Sequence, residues 1–192
     1  MPDAGDSPGW YSGSASYLIV ERLIKERSKT LRVVSPYITP YYAKMLIGAS
    51  RGKEVRVITS DSDISKDALR MMGKRTGVGP YAKTASYFIA LEAVLLLLKL
   101  YAAAFVVAPA FAVLVLLFSL RYASAGRRRL YVKVIGGRLV HEKLYISDSR
   151  AVVGSANLTY GGMHRNVEHL ELINDSEKVK GLAGHFDSLW NE

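Results

Sequence analysis

The amino-acid sequence predicts an α/β fold, in which a mixed β-sheet is flanked by helices and interrupted by an inserted hydrophobic helical hairpin. Residues 31–35 and 55–59 are short apolar runs typical of strands, and residues 41–51 between them form a helical pattern that stops at Gly52. A strand, a helix and a strand in this order indicate a parallel α/β unit. A long apolar stretch follows, and strand patterns resume after it. The stretch therefore interrupts the domain.

Length and composition set the domain organisation. At 192 residues, 49% of them hydrophobic, the chain is long enough for one domain with a substantial core. We predict that residues 1–80 and 125–192 form one α/β domain and that residues 81–124 are the inserted hairpin. Residues 1–13 are polar and lack an apolar region, so we expect neither a signal peptide nor a membrane anchor there. An amphipathic helix through about residue 28 should follow and pack on the core.

Charge and cysteine usage narrow the function. The formal net charge of +9 favours an anionic partner, either a membrane surface or a nucleic acid. The chain has no cysteine, which excludes disulfides, thiol catalysis and cysteine-ligated metals.

The apolar stretch predicts a membrane hairpin. Between residues 84 and 120, 31 of 37 residues are apolar. One helix of that length would extend roughly 55 Å, whereas the hydrocarbon core of a bilayer is about 30 Å thick. Two short spans or a shallow re-entrant hairpin fit better, and a buried hairpin in a soluble protein is the alternative. Basic residues on both sides predict that both ends of the hairpin, and with them the α/β domain, lie on the cytoplasmic side; they are Lys74, Arg75, Lys83, Arg121, Arg127, Arg128 and Arg129.

The C-terminal part carries the remaining strand patterns. Residues 130–135 and 139–147 are joined by Gly136 and Gly137, which predicts a β-hairpin. Residues 151–155 and 168–173 are two further predicted strands, and residues 176–190 a closing helix.

Two of these predicted strands carry polar residues at positions that folding alone does not require. His141 and Lys143 share one face of the strand with Tyr145, while Asp148 lies on the other face. Ser155 ends the next predicted strand, and Asn157 lies two residues later and thus on the same face. Both could approach the same point as His141 and Lys143. A phosphate group suits such a point, because a neutral imidazole can attack it while a lysine and polar donors neutralise its charge.

The spacing of these residues resembles the phospholipase D superfamily. Its HKD motif and the residues that follow are matched here by His141, Lys143, Asp148, Gly154, Ser155, Asn157, Asn166 and Glu168. The resemblance implies a covalent phosphohistidine on His141, and a second histidine that protonates the leaving alcohol. In that chemistry Lys143, Ser155 and Asn157 bind the phosphate, Glu168 orients the His141 ring, and no metal or other cofactor is required. Asp148 and Gly154 are then structural.

The motif occurs once, although the implied mechanism uses two histidines and two lysines. Superfamily members with a single motif complete the site by pairing two chains, so we expect a homodimer. Three functions remain open. The chain is a membrane-embedded enzyme that hydrolyses phospholipids or transfers their phosphatidyl groups, a membrane-anchored nuclease, or a non-catalytic membrane scaffold.

Overall fold

The computed structural model describes residues 9–12, 17–73, 87, 89–94, 108–113, 115–117, 128–137 and 140–192. The contacts within it divide the chain into two units. The first unit combines Met1–Gly73 with Arg127–Glu192, and the second is Lys74–Gly126.

The first unit is built on a seven-stranded mixed sheet with the strand order β1-β7-β6-β5-β2-β3-β4. Strands β2, β3 and β4 are parallel, and the remaining neighbours are antiparallel. The strands are β1 (Gly9–Ser12), β2 (Thr30–Val34), β3 (Glu54–Ser60), β4 (Leu130–Ile135), β5 (Leu144–Ile146), β6 (Ala151–Gly154) and β7 (His169–Ile173). The predicted α/β fold with a mixed sheet is confirmed.

Helices cover both faces of this sheet. They are α1 (Tyr17–Lys25), α2 (Pro40–Ala49), α3 (Lys66–Gly73), α4 (Tyr160–His164) and α5 (Ser176–Asn191), with a 3-10 turn at Asp63–Ser65. The first four helices contribute to one core, which includes Leu23, Tyr42 and Met163. Helix α5 covers the other face, where Val179 and Phe186 pack against Leu144 and Ile146. Each face of the sheet therefore has its own hydrophobic core.

The strand that carries the motif is shorter than predicted. The predicted strand spans residues 139–147, whereas β5 is Leu144–Ile146 and residues 141–143 precede it without regular structure. The neighbouring strands explain the difference, because Leu144 already pairs with Val34, the last residue of β2, and with Val153 near the end of β6. Residues 141–143 thus lie beyond the edge of the sheet.

The predicted β-hairpin between residues 130–135 and 139–147 is wrong. Strand β4 pairs in parallel with β3 at the edge of the sheet, whereas β5 lies between β2 and β6. Gly137 does adopt the positive φ of a turn, at 79°. The turn connects strands that are not neighbours, and a local glycine pair carries no information about that. The sequence also gave no strand signal for β1, which pairs with β7.

In the second unit, the described residues 87, 89–94, 108–113 and 115–117 are helical. Many of their apolar side chains are exposed, namely Tyr87, Ile89, Leu91, Val94, Val113, Val115, Leu116 and Leu117. The rest of the predicted hairpin, residues 81–86, 88, 95–107, 114 and 118–124, lies outside the described residues. Among the helices that are described, none combines the length and the apolar composition needed to cross a bilayer.

Candidate active site

The motif residues meet where one set of strand ends lies side by side, which we call the motif edge. Strand β2 ends there, at Val34. Because β5 is antiparallel to β2, β5 begins at this edge, β6 ends there and β7 begins there. His141 and Lys143 come just before β5, Ser155 and Asn157 just after β6, and Glu168 just before β7. The antiparallel half of the sheet thus gathers three separate segments of the chain.

Lys143 is the buried cation of the motif edge. Its side chain is in a residue only 8% exposed, and its Nζ donates a hydrogen bond of 2.6 Å to the carbonyl oxygen of His141. Burial lowers the pKa of Lys143, and the nearby Glu168 carboxylate offsets part of that effect. The lysine is therefore held against the backbone of the residue predicted to be the nucleophile.

Ser155 and Glu168 form the other half of the site. The Ser155 hydroxyl donates a hydrogen bond of 2.5 Å to Oε2 of Glu168, and Asn166 Nδ2 donates one of 3.1 Å to Oε1. The backbone of His169 adds two contacts, since its N–H donates to Ser155 Oγ (3.0 Å) and its carbonyl accepts from the Ser155 N–H (2.9 Å). The ends of β6 and β7 are thus held together at the carboxylate.

Gly154 allows these strand ends to approach. A Cβ atom added at this position would lie 2.0 Å from the carbonyl oxygen of His169 and 2.9 Å from Cα of Leu170. Both are backbone atoms, so a larger residue would force the strands apart. The Gly154 N–H also donates to the carbonyl of Lys143 at 3.3 Å, which links the two parts of the motif.

Asn157 presents a polar group without a partner. Its Oδ1 is buried and accepts no hydrogen bond from any residue that the structure describes. A buried polar group in this state costs free energy. Because Oδ1 is an acceptor, a phosphate at the motif edge would be bound by Nδ2 of the same amide.

His141 itself has an exposed side chain. Both oxygens of Glu168 are occupied by Ser155 and Asn166, and within the described part of the chain no hydrogen bond joins Glu168 to His141. The orientation of the His141 ring by Glu168 stays a prediction.

Asp148 lies at the opposite edge of the sheet. Its carboxylate accepts hydrogen bonds from the backbone N–H of Lys29 (2.5 Å) and from the N–H and hydroxyl of Thr30 (3.0 and 2.8 Å). Burial raises the pKa of Asp148, but the hydrogen bonds from Lys29 and Thr30 outweigh it and hold the pKa below its usual range. Asp148 therefore ties the turn after β5 to the start of β2.

The other three histidines have partners of their own. His164 Nε2 lies 3.1 Å from the Tyr42 hydroxyl, and the His169 ring stacks on Trp10 with a centroid separation of 4.4 Å. His185 lies against Glu142, the residue after His141. In the ranges that the structure describes, no group of three or more His, Cys, Asp or Glu residues is arranged to hold a metal ion.

Two buried residues whose roles the sequence did not predict form hydrogen bonds with the backbone on either side of Asn157. The Ser35 hydroxyl accepts from the N–H of Leu158 at 2.9 Å, just after Asn157. The fully buried Tyr145 donates from its hydroxyl to the carbonyl of Ala156 at 2.7 Å. Ser35 could have been suspected, since it is a polar residue at the end of an apolar strand and precedes Pro36.

Comparison with protein families identifies this arrangement. A family model described as cardiolipin synthase, PLD-like domain, matches residues 20–190. The chain therefore belongs to the phospholipase D superfamily, as the HKD spacing predicted. A search of curated proteins finds no match.

Solved structures share the fold at low sequence identity. Nuc from Salmonella typhimurium, a phospholipase D family member, is 14% identical, and the match covers 96% of this chain and 95% of Nuc with a TM-score of 0.58. NucT from Helicobacter pylori is 12% identical over 96% of both chains, with a TM-score of 0.57. TrmBL2, an archaeal chromatin protein, is 12% identical over 100% of this chain and 55% of its own, with a TM-score of 0.51.

Proposed function

We propose that this chain is a membrane-associated phosphodiesterase of phospholipase D type that uses His141 as its nucleophile. The observation that carries the proposal is the meeting of His141, Lys143, Ser155, Asn157 and Glu168 at one edge of the sheet. This set contains one imidazole that can act as a nucleophile, one cation and several polar groups. A singly charged phosphodiester needs this combination.

The proposed reaction has two steps. A ring nitrogen of His141 attacks phosphorus, the N–P bond forms, and the P–O bond to the leaving alcohol breaks while a second histidine donates a proton to that oxygen. Water or another alcohol then attacks phosphorus and gives its proton to the second histidine, and the N–P bond breaks. Lys143, Ser155 and Asn157 stabilise the charge on the phosphoryl oxygens in both steps.

A second copy of the chain supplies the second histidine in this proposal. The other three histidines of the chain have contacts elsewhere, with Tyr42, Trp10 and Glu142. A homodimer with two-fold symmetry would bring two copies of His141 and Lys143 to one phosphate. Active protein that remains monomeric on cross-linking and mass measurement in mild detergent would overturn the shared site.

A phospholipid is the substrate that we propose first. The matching family model is described as a cardiolipin synthase domain, and residues 84–120 are almost entirely apolar. Exposed apolar side chains on the described helices of the second unit support a hairpin within lipid. We infer that its basic flanks hold both ends, and with them the catalytic domain, at the cytoplasmic surface.

A nucleic acid is the second candidate substrate. The formal net charge of +9 suits a polyanion as well as it suits an anionic membrane surface.

One experiment tests both substrates together. Purified full-length protein in mild detergent is given mixed phospholipid vesicles and a short single-stranded oligonucleotide in the presence of a chelator, and products are identified by mass spectrometry. His141→Ala tests the nucleophile, and His169→Ala is the matched control because its ring stacks on Trp10. Headgroup release or exchange that only His141→Ala abolishes supports the lipid enzyme.

The other outcomes are equally informative. Oligonucleotide cleavage alone, lost in His141→Ala, would make the chain a membrane-anchored nuclease. No reaction with either substrate would contradict the catalytic proposal and favour the non-catalytic scaffold.

A further inference from the structure

We propose that His185 is a positioning residue for His141 and that it acts through Glu142. This inference rests on the proposed function, because it concerns the residue that we assign as nucleophile. His185 lies in α5, 43 residues after Glu142, and belongs to no part of the HKD motif.

The contact is a two-point interaction. His185 Nε2 lies 2.9 Å from Oε1 and 3.0 Å from Oε2 of Glu142. Both side chains are 48% exposed, so the contact contributes little to the free energy of unfolding. Its consequence is geometric, because Glu142 is the residue that follows His141 directly.

The segment around His141 has few other restraints. It lies beyond the sheet, where β2 and β6 have already ended. The Val140 N–H donates to the Ser60 hydroxyl at 3.0 Å, which fixes the start of the segment. Within the segment, Lys143 Nζ donates to the carbonyl of His141. Glu142 and His185 add a polar contact between the segment and α5, beside the packing of Val140 under that helix.

Glu142 and Lys143 make contacts in different places. Val140, Leu144 and Ile146 belong to the core beneath α5, and Glu142 reaches the same helix through His185. Lys143 Nζ instead donates to the carbonyl of His141. The tether therefore uses Glu142 and leaves the side chains of His141 and Lys143 for the reaction.

Several contacts hold helix α5 in place, so His185 can restrain Glu142. It is 16 residues long, and the Asp175 side chain caps its first turn by accepting from the N–H of Lys178 at 2.8 Å. Phe186, next to His185, is fully buried. Asp187 accepts a hydrogen bond from Arg32 Nε of β2 at 3.2 Å, so contacts on both neighbours of His185 fix this part of the helix.

Loss of the tether should affect the rate more than binding. A displacement of about 1 Å in a reacting group can cost on the order of a hundredfold in rate. Since the phosphate-binding groups remain, we expect His185→Ala and Glu142→Ala each to lower kcat about tenfold with little change in KM. We expect the double variant to be no slower than either single variant, because both remove the same contact.

The experiment measures kcat and KM of the full chain in mild detergent with bis(p-nitrophenyl) phosphate as the substrate. His185→Gln keeps an amide donor and should retain most of the activity. Lys180→Ala removes an exposed ion pair with Glu177 on the same helix and should leave kcat unchanged. Thermal unfolding of all variants should stay close to that of the natural chain.

Distinct results separate this inference from the proposed function. Unchanged kcat in His185→Ala, or a double variant whose losses multiply, would overturn the positioning role while the proposed function stands. A fall in kcat that His185→Gln does not rescue would also overturn it. No hydrolysis by the natural chain, or equal hydrolysis by His141→Ala, would overturn the proposed function and this inference together.

Discussion

The hydroxyl of Ser155 lies 2.5 Å from Oε2 of Glu168 and accepts a hydrogen bond from the N–H of His169 at the same time. Asn166 occupies the second oxygen of Glu168. The Ser155 hydroxyl and the Glu168 carboxylate are thus bound directly to each other. If Ser155 donates to a bound phosphate, it must release Glu168, and the freed carboxylate oxygen can then accept from the imidazole of His141.

Substitution of Glu168 tests whether its carboxylate takes part in the reaction. Glu168→Gln removes the charge that would stabilise the His141 imidazolium, and we expect kcat to fall at least tenfold in phosphodiester hydrolysis at neutral pH. Glu177→Gln in α5 removes an exposed carboxylate far from the motif and is the control. Unchanged kcat in Glu168→Gln would exclude a role for the carboxylate in the reaction.

Gly154→Ala should destabilise the domain by several kcal/mol. The added Cβ atom would lie 2.0 Å from a backbone oxygen of β7, which cannot move without breaking the β6–β7 pairing. Gly184→Ala is the matched control, since its Cβ meets nothing within 4 Å in helix α5. It should stabilise the protein by about 0.5 to 1 kcal/mol. Thermal unfolding of the two variants, measured side by side, checks the difference, and equal melting temperatures would contradict this description of the strand ends.

Asp148→Asn should reduce stability at neutral pH by about 1 to 2 kcal/mol, because the charged acceptor of three hydrogen bonds is lost. The pKa of Asp148 is held below its usual range. Its contribution is therefore present above the pKa of an unfolded aspartate and is lost as pH falls through the lower folded pKa. The gap between natural and variant melting temperatures should narrow below about pH 4. A gap that stays constant to acid pH would contradict the assignment. Asp67→Asn, at an exposed ion pair with Arg70, should change little.

Lys143 should set the alkaline limit of activity. Burial lowers its pKa, with Glu168 offsetting part of the shift. The active, charged form is lost as pH rises through the folded pKa, so the rate should fall at a lower pH than an ordinary lysine would give. Lys143→Arg stays charged and should move that limb to higher pH, at a reduced kcat because the guanidinium has a different shape. A pH–rate profile with the same alkaline limb in both proteins would show that another group titrates.

Much of the site could be predicted because its residues are close in sequence. His141, Lys143, Ser155 and Asn157 lie within 17 residues, and the antiparallel pairing of β5 with β6 brings both ends of this stretch to one edge. The exact edge depended on distant partners, since β5 stops where β2 and β6 end. The contacts of Ser35 with Leu158 and of Asp148 with Thr30 span more than 100 residues, and local sequence does not identify these partners.

The strand order could not be predicted for a similar reason. Gly136 and Gly137 resemble a hairpin turn, yet each residue of β4 pairs with a residue of β3 that lies 75 positions earlier. The apolar side chains Leu130 and Val132 complete the core that β3 and α3 share. Strand β1 is four residues long and polar at its end. Its pairing with β7 is a backbone interaction that side-chain periodicity does not reveal.

Detection of the covalent intermediate tests nucleophilic attack by His141 most directly. The full chain and its His141→Ala variant would react briefly with substrate, followed by an alkaline quench and mass measurement of the intact protein and its peptides. Attack by His141 predicts an added phosphoryl-containing group on the peptide that contains this residue, absent from the variant. Turnover by the natural chain without any adduct, or an adduct on another residue, would contradict nucleophilic attack by His141.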